Sequence, residues 1–166
     1  MRKLIILACL LSSPAMAQVG NHIDGPATFD VMGYLTNTMS GCDDGMAKNC
    51  SLLSRMIGAE THYGEFPDDP GKYVVTFLTL TTGGSGAEMR AIVMKNVNGV
   101  HYNAVGDAVV WGGFPKDVQF NRNRTISWIG TVMGPNDPHC CPTAHQAQHL
   151  SVGAPTGLRF HGARAI

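Results

Sequence analysis

Charged residues are scarce in this chain, and they form no block of one sign. Lys and Arg number 12, and Asp and Glu number 12, a charged fraction of 14% over 166 residues. Nucleic acids and anionic membrane surfaces are bound by clusters of like charge. Long apolar runs are missing too, since none reaches the roughly 18 residues that span a bilayer. We therefore expect neither a nucleic-acid partner nor a membrane span.

Common catalytic motifs are also missing. The sequence contains no GxSxG, no HExxH and no Cys-x-x-Cys, which mark hydrolases, zinc peptidases and thiol oxidoreductases. The glycine-rich residues 83–86 lack the Gly-Lys-Ser/Thr of a phosphate-binding loop, so they predict a hairpin turn. The acidic pair Asp68–Asp69 lies between two prolines and indicates a solvated turn. An enzyme activity stays open, but these absences favour a non-enzymatic role.

The first 17 residues are typical of a secretory signal peptide. Arg2 and Lys3 precede an apolar stretch over residues 4–11, and Ala15-Met16-Ala17 has the small-x-small cleavage pattern. Cys9 could belong to a lipobox, but the apolar stretch before it is too short. Cleavage after Ala17 leaves 10 basic and 12 acidic residues. We expect a periplasmic or secreted protein, with a flexible leader over residues 18–27 and one domain over 28–166.

The chain divides into a helical part (28–58) and a sheet part (73–160). Phe29, Met32, Leu35 and Met39 have helical spacing and predict one apolar face, with Thr28 as its cap. A second short helix starts after Asn49 or Ser51 and ends at Gly58. β-Branched runs and turn dipeptides, including a turn at Gly106-Asp107, predict about six strands. The predicted fold class is α+β, with N-terminal helices packed on an antiparallel meander.

Four cysteines remain after cleavage: Cys42, Cys50, Cys140 and Cys141. An even number in an exported chain predicts disulfides, and four cysteines allow three pairings. Loop-closure entropy favours long bridges, at about 4.7 kcal/mol for 100 residues against roughly 2.6 kcal/mol for nine. Glycines and aspartates flanking the short segment favour a local Cys42–Cys50 closure instead. We expect the local pairing, which implies a bridge between the adjacent Cys140 and Cys141, and the two long-range pairings stay open.

The most unusual stretch is Gly134-Pro-Asn-Asp-Pro-His-Cys-Cys-Pro-Thr143. Its motif residues are Asp137, Pro138, His139, Pro142 and Thr143 around the two cysteines. Asp-Pro favours turn initiation, and the prolines fix φ on both sides. We expect a rigid apolar loop at the end of a strand.

Together with Gly83-Gly84-Ser85-Gly86 and the Gly106-Asp107 pair, this stretch resembles an uncharacterised family of bacterial secreted proteins and lipoproteins. Mycobacterial LppP/LprE-type lipoproteins are similar around the CCP element. In that family a GGSG-type turn, a GD pair and a closing DPxCCPT motif occur in this order. The resemblance covers residues 73–152 and supports a Cys140–Cys141 bridge, but it implies no established activity. The chain departs from the pattern at Ala108, where the family commonly has Arg.

These features predict a non-enzymatic binding or interaction domain of the cell envelope, without a cofactor. Its contact surface is expected near the cysteine pair and the neighbouring Trp111 and Trp128. The alternative is a copper- or zinc-binding protein, whose ligands would be His139, Cys140, Cys141 and His145. His145 and His149 cannot share one ion on a strand, because four residues separate them by about 13 Å. An unrecognised hydrolase or redox enzyme is a third possibility. The sequence leaves the ligand or partner and the oligomeric state open.

Overall fold

The structure is a computed structural model that describes residues 21–39, 50–82, 87–138, 142–154 and 157–165. The secondary structure of these residues comprises nine strands, two short α-helices and one 3-10 turn at Arg122–Arg124. Their bounds are β1 (Asn21–His22), α1 (Thr28–Asn37), α2 (Leu52–Arg55), β2 (Met56–Phe66), β3 (Asp69–Thr81), β4 (Ala87–Asn96), β5 (Tyr102–Val110), β6 (Gly113–Asn121), β7 (Thr125–Val132), β8 (Ala144–Ala154) and β9 (Gly157–Ala165).

The strands form two sheets. The first sheet has the order β1-β2-β3-β4-β5, and all its pairs are antiparallel except the two-residue β1. The second sheet, β6-β7-β8-β9, is antiparallel throughout. The predicted α+β fold with helices on a six-stranded meander is therefore wrong. The protein is mostly sheet. Its strands form two sheets and not one, because the chain leaves the first sheet after β5 and forms a second one.

The central strands β3 and β4 of the first sheet are buried on both faces, which explains the long apolar run of β3. One face packs against the second sheet in a core that includes Phe77, Ile126 and Trp128, and we call this the sandwich core. The other face is covered by α1, whose Val31 and Leu35 share a cluster with Leu78. We call this the helix face. Both sides of a strand that lies between two apolar layers are apolar, so its sequence is a continuous hydrophobic run.

The helix α1 begins at Thr28 as predicted, but its buried side is different. Val31 and Leu35 are fully buried, whereas Phe29 is 82% exposed and Met39 is 63% exposed. Thr28 also does not cap the helix, because its hydroxyl donates to the carbonyl oxygen of Gly25. Of the predicted apolar face, Leu35 is buried and Met32 packs partly buried against the same cluster, so the prediction fails at Phe29 and Met39. The face that packs on the sheet is defined by Val31.

The second predicted helix is only one turn long. Ser51 caps it, since its hydroxyl accepts a hydrogen bond from the Ser54 amide, but the chain extends as a strand from Met56 onward.

Another difference lies at Gly106-Asp107, which is inside β5 rather than at a turn. A register shift between Val93 and Met94 accommodates this pair in the strand.

The two sheets approach one another along both sides, where β2 meets β6 and β5 meets β9. Gly64 on β2 allows the first of these approaches. A Cβ atom at Gly64 would lie within 2.6 Å of three ring carbons of Phe120 on β6. Phe120 also packs edge to face on Phe66, with ring centroids 5.3 Å apart. The aromatic ring therefore occupies the space that a side chain at residue 64 would need.

The chain crosses from the first sheet to the second at Trp111-Gly112. Gly112 has φ +78, and a Cβ atom there would lie 2.7 Å from the Thr131 carbonyl oxygen. This link therefore lies directly on the end of β7. Neither helix in the described part of the chain has the length and apolar content that a membrane crossing requires.

Candidate functional site at the cysteine-loop end

One end of the molecule carries the described residues of the cysteine motif. Strands β3, β5 and β7 finish there, and β4, β6 and β8 begin there. The segment between β7 and β8, residues 133–143, is called the cysteine loop below, and the end itself the cysteine-loop end. Asp137, Pro138, Pro142 and Thr143 lie within the described residues, whereas His139, Cys140 and Cys141 do not.

Asp137 joins the two arms of the cysteine loop. Its Oδ2 accepts hydrogen bonds from the amides of Gly134 at 2.7 Å and Thr143 at 2.6 Å. Its Oδ1 accepts the Thr143 hydroxyl at 2.7 Å. The Asp137 amide in turn donates to the Gly134 carbonyl oxygen at 3.2 Å and closes a turn. One carboxylate thus connects the residue that enters the loop with the residue that leaves it.

These donors also change the acidity of the carboxylate. Hydrogen bonds from the Gly134 amide, then from the Thr143 hydroxyl and amide, lower the pKa of Asp137 below its ordinary value. Donors that bind the charged form favour that form. Asp137 is therefore ionised at neutral pH, when it accepts all three hydrogen bonds. The arms of the loop are held by a charge that protonation would remove.

Large apolar side chains are exposed at this end. Trp111 is 70% exposed, Val109 is 49% exposed and Met133 is 47% exposed. Trp111 belongs to the link that crosses between the sheets, and Met133 opens the cysteine loop. The prediction that Trp128 lies near the contact surface is wrong, because Trp128 is 2% exposed and packs on Phe77 at 5.0 Å in the sandwich core.

A buried amide lies beneath the Trp111-Gly112 link. Gln148 is 1% exposed, and its Nε2 atom lies 3.3 Å from the Cβ position of Gly112 and 2.6 Å from that of Gly130. Among the described residues, nothing hydrogen-bonds to the amide atoms of Gln148 or to Nε1 of Trp128 beside it. Two glycines therefore make room for a polar group at the end of an apolar core.

Cys50 lies near this end, at the start of α2. It is 5% exposed and disulfide-bonded, while Cys42, Cys140 and Cys141 fall outside the described residues. An antiparallel bridge joins Met39 and Ser51, and the Leu52 amide donates to the Thr38 carbonyl oxygen at 2.9 Å. The two ends of the segment around Cys42 are thus held together. That geometry favours a local partner for Cys50, and the pairing stays a prediction.

The Gly106-Asp107 motif belongs to an ionic network on the helix face. Asp107 accepts the Tyr34 hydroxyl at 2.7 Å and a guanidinium hydrogen bond from Arg90. Arg90 also donates to Glu88 at 3.0 Å. Burial, and then the hydrogen bond to Asp107, raise the pKa of Tyr34 to about 12. With this pKa the Tyr34 phenol stays protonated at neutral pH and is a poor nucleophile. Its hydrogen bond to Asp107 joins α1 to β5, so the network docks α1 on the sheet.

The acidic pair Asp68–Asp69 lies at the opposite end, and it is not simply solvated. Asp69 accepts hydrogen bonds from the Tyr73 hydroxyl at 2.6 Å and from Lys95 at 3.1 Å, and it pairs with Arg124 at 3.2 Å. The hydrogen bonds from Tyr73 and Lys95 lower the pKa of Asp69. Asp68 accepts the Asn123 amide at 2.6 Å. The pair therefore fastens the β2–β3 turn to the second sheet.

A shallow concavity of about 330 Å³ lies near this opposite end. Pro26, Tyr63 and Tyr102 form its apolar wall, and Glu65 and Lys72 border it. The Tyr63 hydroxyl already donates to the Asp24 carbonyl oxygen at 2.7 Å. The wall therefore offers mainly ring faces, and the polar contacts come from the two exposed charged side chains. Sequence reasoning missed this concavity, because it lies largely on the unpredicted strand β2.

Histidines lie on the outer face of the second sheet. His145 and His149 are both on β8, so the prediction that they lie on a strand is confirmed. His149 instead stacks on His161 of β9, with ring centroids 5.0 Å apart and planes 9° apart. Within the described ranges, no group of three or more His, Cys, Asp or Glu side chains could hold a metal ion. Sequence spacing alone did not reveal the His149–His161 pair.

Comparisons of the chain with protein-family models, curated proteins and solved structures find no match. The resemblance to LppP/LprE-type proteins therefore stays an expectation from the motifs. The site has to be interpreted from its own geometry.

Proposed function

We propose that the protein is an exported, non-enzymatic binding domain of the cell envelope, and that the cysteine-loop end is its contact surface. The observation that carries the proposal is Trp111, which is 70% exposed on the link between the two sheets. Tryptophan is among the residues most enriched at the energetic centres of interfaces. An exposed indole at a fixed point of the backbone is therefore a suitable anchor for a partner.

The cysteine loop beside Trp111 supports the same surface. Asp137 joins both arms of the loop through three hydrogen bonds, and the prolines Pro138 and Pro142 restrict its backbone. Loop arms that are joined before binding lose less conformational entropy when a partner arrives. A Cys140–Cys141 bridge, the pairing that we propose, would restrict the loop further.

Two ionic networks lie elsewhere in the described residues. Asp107 binds Tyr34 and Arg90, and Asp69 binds Tyr73, Lys95 and Arg124. Such closed networks stabilise contacts between elements and offer no unshared acid or base. The export that we propose rests on the signal-peptide pattern of residues 1–17.

The competing copper or zinc function would use His139, Cys140, Cys141 and His145. Only His145 of this set lies among the described residues, where it is exposed on β8. The same cysteines cannot be both disulfide-bonded and thiolate ligands. The redox state of Cys140 and Cys141 therefore separates the two functions.

Site-specific photo-cross-linking tests the contact surface. A photoreactive amino acid replaces Trp111 in one variant and Phe29 in the control, in cells that export the protein by its own signal peptide. Phe29 is 82% exposed on α1 and is thus a matched exposed aromatic residue. We expect a discrete cross-linked species from position 111 that position 29 does not give. Identical adducts from both positions, or none from position 111, would contradict the proposal.

A further inference from the structure

We propose that His149 and His161 form an exchangeable binding site for a divalent transition-metal ion on the outer face of the second sheet. The site is separate from the cysteine loop and uses neighbouring strands, β8 and β9. Both histidines are exposed, and their rings stack at 5.0 Å between centroids with an angle of 9° between planes. Two imidazoles on one face are a chelating pair.

The pairing of β8 with β9 places the two rings on one face. Leu150 pairs with Phe160, and both side chains pack in the sandwich core. Successive side chains of a strand point to opposite faces, so the neighbouring residues His149 and His161 both lie on the outer face. Gly162, with φ +78, is the extra residue of a bulge beside His161.

A serine orients His161. Ser151 Oγ lies 2.7 Å from His161 Nε2, and Ser151 is two residues from His149 on the same strand. In the tautomer that donates from Nε2 to the serine, the lone pair is on Nδ1. Histidine ligands commonly donate their other ring N–H to a polar partner, which fixes the ring and its tautomer. Ser151 has the position for that role.

The distances suit an ion after a small side-chain adjustment. Zinc binds imidazole nitrogen at about 2.0–2.1 Å, so one ion joins two nitrogens that are at most about 4.2 Å apart. Rotation of two exposed rings whose centroids are 5.0 Å apart reaches that separation. Imidazole suits Cu²⁺, Ni²⁺ and Zn²⁺, and Cu²⁺ binds most tightly in this series. Water would complete the coordination.

The surroundings indicate a weak, reversible site. Arg159 is the cross-strand partner of Ser151, and its cation on the same face opposes a bound metal ion. Only two protein ligands converge there, which agrees with the absence of larger ligand groups in the described ranges. The site would therefore exchange its ion instead of retaining one as a structural centre.

Isothermal titration of the mature protein with Cu²⁺ and with Zn²⁺ tests the site. The variants are His149→Ala and His161→Ala, and the control is His145→Ala, which removes another exposed histidine from the same strand. Loss of one arm of a chelate removes its effective-concentration advantage. We expect Kd to rise about tenfold or more for each test variant and to stay within about twofold of the wild type for the control. The double variant should bind the ion no more tightly than either single variant.

Nuclear magnetic resonance gives a second measurement of binding that does not depend on the heat of binding. Addition of Zn²⁺ should shift the imidazole nitrogen resonances of His149 and His161 together, and Ser151→Ala should weaken binding while the protein stays folded. An unchanged Kd in both test variants would overturn the proposal. So would metal binding that survives both substitutions and disappears after alkylation of reduced Cys140 and Cys141, because the ion would then lie in the cysteine loop.

Discussion

Substitution of Gly64 by alanine tests how the two sheets meet. A new Cβ atom would lie within 2.6 Å of three ring carbons of Phe120, whereas carbon atoms normally approach to about 3.5–4.0 Å. The ring or the strand must therefore move by about 1 Å. Overpacking of this kind costs about 1–3 kcal/mol. For a chain of this length that corresponds to a fall in Tm of about 2–4 °C for each kcal/mol.

Gly113→Ala is the matched control, because a Cβ atom at Gly113 on β6 meets nothing within 4 Å. It should leave stability unchanged or raise it by up to about 1 kcal/mol. Urea unfolding of the mature protein measures both variants. Phe120→Leu should recover part of the loss when it is combined with Gly64→Ala. If Gly64→Ala is as stable as Gly113→Ala, Phe120 does not pack on Gly64 and the described contact between β2 and β6 is refuted.

The remaining expectations concern single polar groups. Hydrogen bonds lower the pKa of Asp137. Its carboxylate should therefore hold the arms of the cysteine loop together at any pH above the ordinary aspartate pKa of about 3.9, and release them as pH falls through the lower pKa of the folded protein. The amide resonance of Thr143 reports this release, and a resonance unchanged down to pH 2 would contradict it. Tyr34→Phe should remove a tyrosine titration near pH 12 from the ultraviolet spectrum and lower stability by about 1 kcal/mol through the lost hydrogen bond to Asp107. Because the pKa of Tyr34 is raised in the folded protein, this hydrogen bond contributes its full stabilisation below pH 10. That stabilisation is lost as pH rises through about 12. Gln148→Met should raise stability by about 1 kcal/mol in thermal unfolding, because it removes a buried amide that no described group satisfies, and a clear loss of stability would show that the amide is satisfied.

Strands with an apolar character were predictable, and the sheet architecture was not. The run of β-branched and aromatic residues in β3 indicates a strand whatever surrounds it. Met56–Phe66 was missed because Gly58, Glu60, Gly64 and Glu65 give it no strand signature. That segment is a strand because β3 pairs along its length and because a glycine allows Phe120 to approach. Both reasons are long-range contacts.

The division into two sheets depends on one short link. Trp111-Gly112 carries the chain across the end of the sandwich, and local sequence shows only a glycine after an aromatic residue. Trp128 illustrates the consequence. It is buried with Ile126 in the sandwich core, and the layer opposite them is a separate sheet. A prediction made with one sheet could not identify that layer, so it placed Trp128 near the contact surface.

The candidate site was predictable in part. The sequence singled out Asp137 and Thr143 as motif residues, but it did not show that the Asp137 carboxylate connects both arms of the cysteine loop. Trp111 was expected near the contact surface and is exposed at the cysteine-loop end. His161 could not be matched to His149, because that contact depends on the register in which β8 pairs with β9.

The proposed function depends on a closed, oxidised cysteine loop, so the redox state of the cysteines is the most direct test. The mature protein, exported by its own signal peptide, is weighed intact with and without reduction and alkylation, and its peptides are then mapped. We expect four alkyl groups to be added only after reduction, with bridges mapped to Cys42–Cys50 and Cys140–Cys141. Alkylation of Cys140 and Cys141 without reduction would contradict the proposal and favour a metal site in the cysteine loop.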